Sequence, residues 1–158
     1  FTMEQLYATY PDLRLVWLHR DPAQTLSSLG SFILSIRKQT RPDTDPKRLG
    51  REWASLQELA LQRGLAYRDR MQDPSRICDV HYNSLMRDPV GTVESIYRHF
   101  DMPFSDAARN AVAQWLRENP QDKHGVHKYT PEQFGLDANH IRERFSFYVD
   151  RFDVGRDA

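Results

Sequence analysis

The chain has 158 residues, 39% of them apolar and 28% charged, with 22 Lys and Arg against 22 Asp and Glu. That length suffices for one modest core, and the even charge gives no global pull toward nucleic acid or an acidic membrane surface. No run is long and apolar enough to span a bilayer, so neither a membrane span nor a nucleic-acid partner is expected, and any anion site must be local.

Residues 3–8 read as a helix, followed by the apolar run Leu15, Val16, Trp17 and Leu18, a short strand. The strand ends in His19-Arg20-Asp21-Pro22, and a helical pattern over 22–38 starts at once. Strand, charged turn and helix form the half-unit of an α/β fold, in which ligands sit at the carboxyl ends of parallel strands. Arg20 lies at that end, and Ser28 follows eight residues on. With Pro22 at the first helical position, Ser28 stands about two turns into the helix, and both side chains can face one anion. A guanidinium suits a phosphate because its planar fork donates bidentately and keeps its charge. The plainer alternative for Arg20 is a surface salt bridge to Asp21 or to a nearby helix, and Ser27 would replace Ser28 if the helix register shifted by one. His19 alternates away from Arg20 and is given no role.

The polar segment 39–47, with two prolines, reads as a linker. A long helix over 48–71 follows, with Trp53, Leu56, Ala60, Gly64, Tyr67 and Met71 as its core stripe. Asp73-Pro74 ends it, and residues 76–82 form a second short strand. The lone Cys78 lies in that strand as a buried, inert thiol, and no internal disulfide can form. With no Asn-x-Ser/Thr site either, the expected location is cytoplasmic. Tyr82-Asn83-Ser84-Leu85 leads into Arg87-Asp88-Pro89 and a helix with Val90, Val93, Ile96, Tyr97 and Phe100 on one face.

Ser105 caps a helix over 106–118, with Ala108, Val112, Trp115 and Leu116 facing inward. Asn119-Pro120 stops it, and the basic loop Lys123-His124-Gly125-Val126-His127-Lys128-Tyr129 follows. Thr130-Pro131-Glu132-Gln133 is a helix start whose dipole favours anions, which singles out Lys128 just before it. His124 and His127 lack the further ligands a metal would need, so no metal is expected. Gly135 ends that short turn, and Asp137 caps one last helix with Ile141, Phe145, Tyr148 and Phe152 on one face. Phe134, Phe145 and Tyr148 are assigned to the core. The pattern is an α/β chain, mainly helical, with two short parallel strands joined by a helical crossover.

Tyr10-Pro11-Asp12, the apolar strand, Arg20-Asp21-Pro22 and Ser28 together resemble the second cofactor motif of the sulfotransferases. Those enzymes use 3′-phosphoadenosine-5′-phosphosulfate (PAPS), and in them the Arg and the Ser hold the 3′-phosphate. The second strand with Tyr82-Asn83-Ser84-Leu85 and Asp88-Pro89 is similar to a family strand, Tyr-x-x-Leu and Asp-Pro, in which the Tyr contacts adenine. The loop over 123–129 resembles the basic, glycine-containing loop that closes over the 3′-phosphate. The resemblance thus implies Arg20, Ser28, Tyr82, Lys128 and His127 as cofactor-binding residues. The loop lacks the Arg-Lys-Gly of cytosolic members and looks more like the bacterial and carbohydrate-directed branches.

The implied fold is the P-loop, nucleoside-kinase-like sulfotransferase fold, in part. No phosphate-cradling Gly/Ser/Thr loop occurs, so residues 1–158 read as the carboxyl-terminal part of a single sulfotransferase domain. The phosphosulfate-binding loop and catalytic base are then expected upstream, and this segment is expected to be inactive alone. The implied activity moves a sulfuryl group to a hydroxyl or amine of a small-molecule, lipid or carbohydrate acceptor, without a metal. Adenosine 3′,5′-bisphosphate (PAP) is the product. Two alternatives stay open: a nucleotide or sugar kinase-like phosphotransferase, and a non-catalytic helical interaction module in which Arg-Asp-Pro is chance.

Overall fold

Four Asp-Pro pairs punctuate the chain, and each one opens a helix or a helical turn. Proline is preset for the first helical position, and the preceding carboxylate accepts an otherwise orphaned backbone N–H. The computed structural model describes residues 3–120 and 129–155. In chain order they form α1 (Met3–Thr9), β1 (Leu15–His19), α2 (Pro22–Thr40) and α3 (Pro46–Arg68). A 3-10 turn (Pro74–Arg76), β2 (Ile77–His81), α4 (Tyr82–Arg87), α5 (Pro89–His99) and α6 (Asp106–Glu118) come next. A 3-10 turn (Pro131–Phe134), α7 (Ala138–Arg144) and α8 (Ser146–Phe152) complete the described chain. The described residues divide into two compact units: 4–19 with 71–120, and 3 with 20–70 and 129–155.

In the first unit β1 and β2 pair in parallel, from Leu15 opposite Ile77 to His19 opposite His81. Cys78 and Val80 of β2 form a small core with Phe100, backed by Leu85 and Ile96. Arg76 fixes the entry to β2. Its guanidinium donates to the Leu13 carbonyl at 3.1 Å and lies 4.6 Å from the Tyr7 ring centroid. The segment from Tyr82 is itself helical, forming α4, where the sequence implies only a lead-in to Arg87-Asp88-Pro89. On α5 the expected face holds, with Phe100 buried just past its end.

Trp115 departs from the expected inward face of α6. It is 61% exposed, although Ala108, Val112 and Leu116 are half-buried. Contact with α5 is made at the other end of α6, where Arg109 pairs with Glu94 at 2.7 Å and Phe104 meets Tyr97 edge-on. Trp115 lies about 9 Å further along the axis, past that contact.

The second unit packs α2 and α3 on each other, with the Pro131–Phe134 turn wedged against both. Phe134 is buried, and two glycines make room for it. A Cβ at Gly30 would stand 2.8 Å from its ring, and one at Gly50 would run into its carbonyl oxygen. This notch explains a correction to α3. The buried residues are Leu49, Gly50, Ala54, Leu61, Gly64 and Leu65, while Leu56 is exposed and Met71 lies beyond the helix. Relative to the expected Trp53 stripe, the helix is turned by about 100°, one residue along. The close approach to Phe134 selects the face with small side chains.

The expected last helix is two. The chain leaves helical geometry at Phe145 (φ −98°, ψ 18°), yet the backbone bonds Phe145 N–H to Ile141 C=O and Val149 N–H to Phe145 C=O continue through it at 2.9 Å. The break is a kink that keeps Ile141, Phe145, Tyr148 and Phe152 all buried. Arg144 of α7 clamps α3 through Glu58 (2.6 and 2.9 Å), and Arg151 of α8 pairs with Asp69 at 2.7 Å. That second pair holds the Asp69 carboxyl below its ordinary range.

The Phe134 notch is directly testable. Alanine at an exposed helical position would gain about 1 kcal/mol over glycine. Gly50→Ala is instead expected to lose about 2 kcal/mol net in urea unfolding, because a backbone oxygen cannot move aside. An unchanged or raised midpoint would contradict the notch.

Candidate functional site

The site is built from the start of α2. Asp21 is its N-cap, with Oδ1 accepting the Ala23 N–H at 3.0 Å, and Pro22 opens the helix. Asp21 makes no surface pair with Arg20. Its other carboxylate oxygen accepts from Arg142 Nη2 at 2.7 Å and Nε at 3.2 Å. The Arg20 guanidinium turns onto the helix, where Nε and Nη2 donate to Gln24 Oε1 at 3.3 and 3.2 Å.

Gln24 stands four residues before Ser28. Residues at that spacing are neighbours on one face, with Cβ atoms about 5–6 Å apart. Gln24 and Ser28 therefore share one side of α2, and the Arg20 guanidinium, from before the helix, reaches that side at Gln24. The buried residues Ala23, Leu26, Ser27 and Gly30 occupy the inner side.

The two serines are distinguished by this rotation. Ser27 is buried, and its hydroxyl donates back to the Ala23 carbonyl at 2.7 Å. Ser28 is half-buried, and among the described residues its hydroxyl is engaged in no hydrogen bond. The Arg20 guanidinium meanwhile has contacts beyond its two bonds to the Gln24 amide oxygen.

In the strand unit, parallel register puts Trp17, His19, Asp79 and His81 on one face of the two-stranded sheet. His19 is 1% exposed and donates from Nε2 to Asp79 Oδ1 at 2.8 Å, with the Trp17 ring stacked at 5.6 Å. Sequence alternation had dismissed His19; its burial and this bond make it a structural anchor. A side chain so enclosed cannot touch an acceptor as a base. Tyr82 follows β2 as the first residue of α4 and is half-buried. Burial, and secondarily the Asp79 charge, push the Cys78 thiol above its ordinary pKa, which keeps it neutral and unreactive. Lys128 and His127 lie outside the described residues. The pairs Asp21–Arg142 and His19–Asp79 escaped the sequence reading; only the Asp-Pro helix start hinted at the first.

A family model described as the sulfotransferase family matches residues 1–106. The chain belongs to the sulfotransferase family. Its fold is similar to part of the sulfotransferase STF9 from Mycobacterium avium, with a TM-score of 0.81 and 28% identity, over 97% of this chain and 39% of that one. The sulfotransferase STF1 from Mycobacterium tuberculosis H37Rv gives 0.71 and 30% identity, over 92% of this chain and 36% of that one. This sulfotransferase chain thus spans well under half the length of these solved relatives. Comparison with curated proteins gives no match. Among the described residues no helix is long and apolar enough to cross a membrane.

Within this sulfotransferase chain, the His19 anchor makes a quantitative expectation. Hydrogen bonds to charged groups contribute about 1.5–3 kcal/mol, so His19→Ala should lower unfolding free energy by at least about 2 kcal/mol in urea titration. A loss under about 0.5 kcal/mol would mean the pair with Asp79 is incidental.

Proposed function

We propose that this chain binds the donor PAPS, with Arg20 and Ser28 holding its 3′-phosphate, and serves sulfuryl transfer to a hydroxyl or amine acceptor. The observation that carries the reading is the outer side of α2. The Arg20 guanidinium reaches Gln24, one helical turn before Ser28, whose hydroxyl has no bond among the described residues. A phosphate can accept from both at once, whereas a nucleotide lacking the 3′-phosphate cannot.

Family membership and the resemblance of the motifs support assigning Tyr82 to the adenine and Lys128 and His127 to a closing loop. The acceptor class is a small molecule, lipid or carbohydrate. A cytoplasmic setting belongs to the same reading, in accord with the single buried Cys78.

When bound, the donor would supply an activated sulfuryl group for bonding to the acceptor oxygen or nitrogen as its bond to the 5′-phosphate oxygen breaks, with PAP as the leaving group. The residues here bind and orient. Arg20 neutralises the 3′-phosphate and Ser28 fixes its rotation, far from the reacting sulfur. Such contacts are equal in ground and transition states, so they govern donor affinity more than turnover. The acceptor's proton passes to a base that is not assigned within this chain.

Calorimetry with adenosine 3′,5′-bisphosphate tests the reading. Arg20→Ala should weaken its binding by about ten- to a hundredfold, since one charge-assisted hydrogen bond contributes about 1.5–3 kcal/mol. Ser28→Ala should weaken it by a smaller factor, and Ser27→Ala should leave it unchanged. Wild-type affinity in Arg20→Ala would overturn the assignment.

A further inference from the structure

The carboxylate at the start of α2 has a partner that capping does not require. Asp21, Asp45, Asp73 and Asp88 each precede a proline, and each accepts a backbone N–H of the turn it opens, at 2.9–3.1 Å. The last three are exposed, and water completes their hydration. Asp21 alone of the four is buried, at 6% exposure, and it receives both Nε and Nη2 of Arg142 on Oδ2. Gly155, at φ +84°, closes over this pair. A Cβ there would stand 3.3 Å from the Asp21 carboxyl carbon and 3.4 Å from Arg142 Nε.

The Arg142 fork does more than neutralise a charge. Nε and Nη2 converge on Oδ2 and pin that oxygen, while Oδ1, through the Ala23 N–H, holds the first turn of α2, so the carboxylate is tied at both ends. Gln24, which holds the Arg20 guanidinium, is on that turn. The Asp21 carbonyl takes part as well, accepting the Thr25 N–H at 2.9 Å and its hydroxyl at 3.0 Å. Arg142 itself bonds only Asp21 and, at 3.4 Å, Asn139 among the described residues.

We propose that Arg142 is a positioning residue for the donor's 3′-phosphate, acting through Asp21 to set the turn from which Arg20 and Ser28 present to one anion. The role rests on the donor reading above. It assigns α7, 121 residues downstream of Asp21, a part in recognising the nucleotide.

Calorimetry on the full chain with PAP and with AMP tests it, alongside thermal unfolding of each variant. Arg142→Lys keeps the charge but loses the planar fork. It should bind PAP about tenfold more weakly, the equivalent of one well-placed hydrogen bond, with AMP affinity unchanged. Arg142→Gln should lose more PAP affinity, and if it fails to fold, Arg142→Lys decides. Arg144→Gln, on the same helix but bonded to Glu58, should lower the melting temperature and leave both affinities intact. Wild-type PAP affinity in Arg142→Lys, or an equal loss for PAP and AMP, would overturn the role. A wild-type protein that does not prefer PAP over AMP would remove the donor reading, and this role with it.

Discussion

One buried carboxylate organises the helical unit. Asp21 is out of water, and an unpaired charge there would cost several kcal/mol. It is tolerated because one oxygen accepts from the backbone of α2 and the other from the planar fork of Arg142. Both partners are directional, so the carboxylate fixes the axis and the rotation of α2 where the helix begins. An ion pair this enclosed adds little net stability over an apolar substitute. What it adds is a defined geometry, at the point where the chain turns from strand to helix.

Packing holds the same rotation further along. Phe134 nests where α2 and α3 offer Gly30 and Gly50, and no larger residue fits either position without displacing the ring or its backbone. With Ala23, Leu26, Ser27 and Gly30 thereby turned inward, Gln24 and Ser28 are turned outward. The choice between two adjacent serines is thus made by core packing. A rotation of about 100° would exchange them, burying Ser28 in place of Ser27.

Local signals carried well from sequence to structure, and long-range ones did not. The strand before Arg20, the proline-led helix after it, the capped turn at Thr130 and the core roles of Phe134, Phe145 and Tyr148 all rest on neighbouring residues, and all are present. The α3 face was misread because periodicity alone ranks Trp53 and Leu56 above glycine and alanine, whereas the Phe134 wedge needs the small side chains. Trp115 was misread because helical spacing does not reveal where a neighbouring helix stops. The kink at Phe145 leaves the apolar stripe intact, so the pattern cannot register it. His19 with Asp79 and Asp21 with Arg142 join residues 60 and 121 positions apart, which no local motif encodes.

Family membership fixes the fold, and one side of α2 is where we propose that the donor's 3′-phosphate binds. The most direct test is a crystal structure of the protein with adenosine 3′,5′-bisphosphate. The account predicts 3′-phosphate oxygens about 3 Å from the Arg20 guanidinium and from Ser28 Oγ, with Arg20 released from Gln24. A 3′-phosphate held by other residues, with Arg20 still on Gln24, would contradict it.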